Sequence, residues 1–148
     1  MSILITGGTG YIGSHTAVEI LNAGYDVVIA DNFYNSSPEV LKRIEIITGK
    51  KPEFFECDVC DKQAVKKLFD KYPDIDSVIH FAAYKAVGES VEKPLDYYEN
   101  NIGGALCVLQ EMQRRGVKNY VFSSSATVYG EPEKIPCDET CYAGSATN

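Results

Sequence analysis

A doubly wound α/β fold, with a parallel sheet and helices on both faces, is what this 148-residue sequence predicts, and two observations predict it. Five short apolar runs alternate with stretches of helical periodicity, the pattern of successive βαβ units. The first run breaks at a glycine-rich turn that opens the first helix, the context of a Rossmann-type dinucleotide site. The composition suits such a domain: 45% hydrophobic and 24% charged residues are the proportions of an ordinary globular chain.

The elements follow in order. Ile3-Leu4-Ile5 is the first strand, ended by Thr6-Gly7-Gly8, and the helix after it carries Val18 and Leu21 on one face up to Gly24. Val27-Val28-Ile29-Ala30 is the second strand, ended by Asp31-Asn32. Ser36 and Glu39 have the spacing of a capping box, with Pro38 suited to a first turn, and Val40, Ile44 and Ile47 continue a helical stripe to Gly49. Glu53-Phe54-Phe55-Glu56-Cys57 is the third strand. Val65, Leu68, Phe69 and Tyr72 then mark an amphipathic helix. Ser77-Val78-Ile79-His80-Phe81 is the fourth strand. The longest stripe, Leu95, Tyr98, Ile102, Leu106, Leu109 and Met112, predicts a core-facing helix up to Gly116, before a fifth strand, Asn119-Tyr120-Val121-Phe122. Past Gly130 the pattern lapses into a loop, and the last eight residues read as a connection. Residues 1–148 are therefore expected to be one incomplete dinucleotide-binding domain, short of its last strands and of a substrate domain. Its open sheet flank is expected to favour self-association.

Charge and cysteine content narrow the partners. A formal net charge of −7 argues against nucleic acid or an anionic membrane surface. No apolar run approaches the roughly 18 residues of a membrane span. The opening residues lack the basic start of a secretion signal, so a cytoplasmic protein is expected. The five cysteines are then expected to be reduced. Cys57 and Cys60, and Cys137 and Cys141, are spaced closely enough to raise a zinc or redox reading. Neither pair has the ligand set of a strong zinc site, and no metal is expected.

The glycine turn, TGGTGYIG at residues 6–13, carries the chemistry. Gly7, Gly10 and Gly13 allow the tight turn and the close approach of a pyrophosphate to backbone amides, and the helix N-terminus favours the anion. Asp31 ends the second strand, 18 residues after Gly13. A carboxylate there accepts hydrogen bonds from an adenosine ribose and repels a 2′-phosphate. No arginine stands beside it, so NAD is expected rather than NADP. Asp58 ends the third strand in the same way. It is either a partner for the adenine amine or a cap for the helix starting near Asp61.

Four stretches, TGGTGYIGSH, DNFYNSS, HFAAYKAVGESVEKPLDYYENN and FSSSATVYGEPEKIP, together resemble the extended short-chain dehydrogenase/reductases, and within them the branch that epimerises nucleotide sugars at C4. The glycine motif is common to the whole superfamily; KAVGESVEKP is much more specific. The resemblance implies NAD as cofactor and the interconversion of UDP-galactose and UDP-glucose by hydride abstraction and return at C4. It implies that Tyr11 and Ile12 sit at the pyrophosphate, and that Asp31, Asn32, Asn35 and Ser36 line the adenosine ribose. Asp58 and Val59 would flank adenine. Phe81, Ala82, Ala83 and Lys85 would run along the cofactor, Lys85 also reaching the substrate, and Asn100 would face the site. Ser123 would lie by the nicotinamide ribose, and Ser125 matches the catalytic serine that also binds the sugar. A homodimer of the full-length protein is implied as well. The family's general base belongs to a Tyr-x-x-x-Lys motif. None of the ten tyrosines here has lysine four positions on, and the motif would fall just past Asn148. The chain is thus expected to be the N-terminal, cofactor-binding part of such an enzyme and inactive alone. The alternatives are a dehydratase or decarboxylase acting on another nucleotide sugar, and a dinucleotide-binding module without catalysis.

Overall fold

The computed structural model describes residues 1–144; the end of the closing connection, from 145 on, lies outside the described residues. Five strands, β1 (Ser2–Thr6), β2 (Asp26–Asp31), β3 (Glu53–Glu56), β4 (Ile75–His80) and β5 (Asn119–Phe122), form one sheet in the order β3-β2-β1-β4-β5. Every pairing is parallel, with Leu4 opposite Val28 and Val78, and Val78 opposite Tyr120. All five expected strands are present, each within two residues of its apolar run.

Successive residues of a strand face opposite sides of a sheet, and here both sides are covered. Leu4, Val28, Ala30 and Val78 pack with Val65, Leu68, Phe69, Val108 and Met112 on one face. Ile5, Val27 and Ile29 pack with Ala17, Leu21 and Ile44 on the other. The first face is covered by α3 (Lys62–Lys71) and α6 (Gly104–Arg115), the second by α1 (Tyr11–Asn22) and α2 (Glu39–Thr48). Continuous apolar runs such as Val27-Val28-Ile29-Ala30 are what such double burial demands. Each large side chain buried in this way contributes roughly 1.5–3 kcal/mol. Beyond the core, Arg115 pairs with both Glu111 and Asp70 and so ties α6 to α3.

Three local expectations are corrected. Ser36 does not cap α2: the helix begins at Glu39 after Pro38, the Glu39 amide donates to Ser37 Oγ at 3.3 Å, and the Ser36 hydroxyl turns back toward Asp31 and Thr9. A hydroxyl with a nearby carboxylate has a stronger partner than a helix amide. Ile47 is 66% exposed while Ile44 is 2% exposed, because the inward face of α2 runs through Val40, Leu41, Ile44 and Thr48 and Ile47 falls at its edge.

The third correction concerns the longest stripe. The expected helix runs from α5 (Pro94–Tyr98) through a π turn at Glu99–Gly103 into α6, with a separate short helix, α4 (Val87–Glu92), before it. Leu95, Tyr98, Ile102 and Leu106 are at least half exposed, and the buried face of α6 is Gly104, Cys107, Val108, Glu111 and Met112. The reason is steric. A Cβ on Gly104 would meet Cγ2 of Val59, in the loop after β3, at 2.8 Å, so the helix lies tightly against that loop on its Gly104 side, and the bulkier stripe faces outward. Edge strand β5 likewise leaves Val121 and Phe122 exposed.

The contrast within α2 is testable. Ile44→Ala should cost about 2–5 kcal/mol of unfolding free energy, and Ile47→Ala no more than about 0.5 kcal/mol, both read from urea titration of the same chain.

Candidate functional site

The order β3-β2-β1-β4-β5 places a crossover reversal between β1 and β4, and in open parallel sheets ligands bind at the carboxyl ends of the strands beside such a reversal. A cleft of about 310 Å³ opens there. One wall is the turn from β1 into α1, with Gly7, Gly10, Tyr11, Ile12 and Gly13; the far end is formed by Asp31, Asn32 and Asn35 after β2, and by Asp58 and Val59 after β3. Phe81, Ala82, Ala83 and Lys85, after β4, and Asn100, from the π turn, complete it. Residues from five separate segments, expected from sequence to act together, thus surround one space.

The glycine turn is built for close contact. Gly7 has φ +68°, a conformation that costs glycine little. A Cβ on Gly13 would overlap the Gly7 carbonyl oxygen, so this crossing of backbones exists only without a side chain there. Gly10 occupies the N-cap of α1 and no side chain caps it, so the first-turn amides and the positive end of the helix dipole are left for an anion.

Asp31 is buried and already engaged. Its Oδ2 accepts the Thr9 amide at 3.0 Å; its Oδ1 accepts the Phe33 amide at 2.9 Å and the Ser36 hydroxyl at 3.3 Å. Thr9 Oγ1 and Ser36 Oγ lie 2.7 Å apart. An ionised carboxylate has about four acceptor positions, so capacity for one further donor remains. Phe33 pays for its place with φ +56°, strain of order 1–3 kcal/mol that the Asp31 contact helps hold. Ser36, expected at the ribose, does not itself line the cleft; it acts on Asp31.

Asp58 is in the cleft wall and caps nothing: its Oδ1 accepts the Cys60 amide at 2.9 Å, while Asp61 caps α3 through the Gln63 and Ala64 amides. Ser123 and Ser125 lie past the end of β5, outside the lining of the cleft, on the same edge of the sheet. Ser125 Oγ accepts from Thr127 Oγ1 at 2.9 Å and is exposed.

Three contributors were missed in the sequence. Tyr34 and Tyr84 line the cleft with ring centroids 5.0 Å apart; their only local signal is an aromatic ring beside the predicted residues. Asn101 is less legible still. Its Oδ1 accepts the Tyr84 amide at 2.8 Å and its Nδ2 donates to the Tyr84 carbonyl at 3.1 Å, while Asn100 Nδ2 donates to the same Oδ1 at 2.9 Å. One side-chain amide therefore holds the segment between β4 and α4 and orients Asn100. The π turn places these two asparagines, in keeping with the tendency of such turns to mark functional positions.

Burial, with Asp58 nearby, pushes the Cys57 thiol up to about 12, and the same causes push Cys60 up to about 11, which leaves neither a ready nucleophile. Among the described residues, no group of three or more His, Cys, Asp or Glu is placed to hold a metal ion, and no helix is long and apolar enough to cross a membrane. His80, at the end of β4, is buried against Phe122 with its Nδ1 2.8 Å from Thr6 Oγ1.

Sheet order, switch-point cleft and uncapped glycine turn define a Rossmann-type nucleotide-binding fold. More narrowly, the chain belongs to the NAD dependent epimerase/dehydratase family, whose model matches residues 3–147. It is 57% identical to the UDP-glucose 4-epimerase of Haemophilus influenzae, over 100% of this chain and 44% of that protein. It is 53% identical to the UDP-glucose 4-epimerase of Homo sapiens, over 99% of this chain and 43% of that protein. The solved structure of UDP-glucose 4-epimerase from Bifidobacterium longum in complex with NAD+ and UDP superposes with a TM-score of 0.94 at 49% identity, covering 100% of this chain and 44% of that one. The enzyme from Stenotrophomonas maltophila, with bound NAD and formylated UDP-arabinopyranose, gives a TM-score of 0.90 at 46% identity, covering 97% and 43%. The chain therefore spans less than half the length of these relatives.

Burial lowers the His80 pKa from 6.5 to about 4. Between those values the unfolded chain binds a proton that the folded chain does not. Stability should therefore be full above about pH 6.5 and fall as the pH drops toward 4, by on the order of 3 kcal/mol. Urea unfolding across that range should show a shallower fall in His80→Gln than in the parent chain.

Proposed function

We propose that this chain is the NAD-binding part of a UDP-glucose 4-epimerase, which interconverts UDP-galactose and UDP-glucose. The observation that carries the reading is the cleft itself: a backbone crossing that a Cβ on Gly13 would block, an uncapped helix start, and a buried carboxylate with one acceptor position to spare. These features suit a dinucleotide, and the full-chain likeness to epimerases supports the substrate class.

In this reading the amides of Tyr11 and Ile12 hold the pyrophosphate, with Gly7, Gly10 and Gly13 permitting its approach. Asp31 accepts from the adenosine ribose, with Asn32, Asn35 and Ser36 around it, and Asp58 and Val59 flank adenine. Phe81, Ala82, Ala83, Lys85 and Asn100 run along the cofactor toward Ser123. NAD, when bound, supplies the hydride acceptor for C4 of the sugar. Ser125 orients the hydroxyl at that carbon through its Oγ, and Lys85 offers a cation to the substrate. A cytoplasmic location is part of the same reading.

A homodimer of the full-length protein belongs to it too. The exposed stripe Leu95, Tyr98, Ile102, Leu106 and Leu109 is apolar at helical spacing and is the face we assign to a second copy, since an uncovered row of this kind marks an interaction surface.

Isothermal calorimetry of the folded chain should detect NAD+ binding that Asp31→Ala weakens at least tenfold, with NADP+ bound more weakly than NAD+; no heat with NAD+ would overturn the reading. The 148-residue chain alone should not convert UDP-galactose to UDP-glucose, since no tyrosine has lysine four positions on; turnover in a coupled assay would refute this.

A further inference from the structure

Two of the five thiols stand apart from the others. Cys57 and Cys107 are buried and Cys60 is half-buried, whereas Cys137 is exposed and Cys141 half-exposed. The two belong to one turn. The Cys141 amide donates to the Asp138 carbonyl at 3.0 Å, and the Thr140 amide donates to Asp138 Oδ1 at 2.9 Å. Lys134 pins the same turn, with its Nζ 2.7 Å from Asp138 Oδ2 and 2.7 Å from Thr140 Oγ1. The turn so closed sets Cys137 at its start and Cys141 at its end, with the two thiols near enough to perturb each other. The Gly144 amide, donating to the Val128 carbonyl at 3.0 Å, closes the whole excursion against the turn that follows Ser125.

We propose that Cys137 and Cys141 are a redox modification site, a dithiol that a low-molecular-weight disulfide of the glutathione class converts to an intramolecular disulfide. Proximity decides the chemistry. A thiol held beside another meets it at an effective concentration in the millimolar range or above, which favours ring closure over a lasting mixed disulfide. Cys137, the exposed member, attacks one sulfur of oxidised glutathione as its thiolate. The S–S bond breaks, and the first glutathione leaves as a thiolate that takes up a proton. Cys141 then gives up its proton, attacks the Cys137 sulfur of the mixed disulfide and expels the second glutathione. Two protein thiols are oxidised and one glutathione disulfide is reduced to two thiols, so electrons and protons balance. Closely placed, accessible cysteines in an otherwise reduced chain fit a reversible role better than a permanent crosslink. Partial desolvation within the turn and the neighbouring Cys141 raise the Cys137 pKa, so the exchange is expected to be slow near neutrality and faster as pH rises.

The test equilibrates the folded chain in glutathione buffers of stepped oxidation, quenches with acid, alkylates in denaturant and maps tryptic peptides. The expected result is joint loss of both thiols in the peptide beginning at Ile135, which becomes lighter by two hydrogen atoms and carries no glutathione. Cys57, Cys60 and Cys107 should stay alkylatable. In Cys137→Ser and in Cys141→Ser, the remaining thiol should instead retain one glutathione. The proposal is overturned if both thiols stay alkylatable at every ratio, if each carries its own glutathione in the parent chain, or if the product is a crosslinked dimer on a non-reducing gel. Thermal melting of each variant confirms that an exposed loop has been changed without loss of the fold.

Discussion

The site rests on the Asp31 carboxylate. It is the last residue of β2, and it holds two loops, the glycine turn through Thr9 and the loop into α2 through Phe33 and Ser36, which also meet through the Thr9 and Ser36 hydroxyls. A buried carboxylate is costly unless its oxygens are filled, and here the fillers are the loops that must be positioned. The cost of burying the charge and the ordering of the cleft are thus one constraint. It also explains why a phenylalanine accepts a left-handed backbone at position 33: the contact that strains it is the one that satisfies the acid.

The other side of the cleft uses a neutral device for the same purpose. Asn101 holds both backbone groups of Tyr84 and steadies Asn100, so the segment bearing Ala82, Ala83 and Lys85 is set by one amide side chain from a π turn. The sheet supplies rigidity between these two anchors, with Leu4, Ile5 and Ile29 wholly buried.

What could be read from sequence divides along physical lines. The central strands were the most legible, because a parallel strand covered on both faces must be apolar, as Val27 to Ala30 are. The α3 stripe was legible because one face of that helix is plainly polar. The burial of α6 was not, since that helix is apolar on two sides and the choice between them is made by Val59 lying against Gly104, a contact across 45 residues. Ser36 had capping spacing, but a carboxylate five residues earlier outcompeted the helix. Of the site, the glycines, Asp31 and Asp58 stood out through their positions at strand ends. Asn101 gave no signal, because an asparagine within a helical stretch looks the same whether it faces water or clamps a distant backbone.

The central position of β1 has a consequence for synthesis. β1 pairs with β2 on one side, but its other edge belongs to β4, whose last residue follows the end of β2 by roughly fifty residues. At ribosomal speeds of about 5–20 residues per second, that edge stays open for roughly 3 to 10 s. During that interval the backbone along Ile3-Leu4-Ile5 has no partner on its β4 side, and an unpaired strand edge is a template for pairing with another chain.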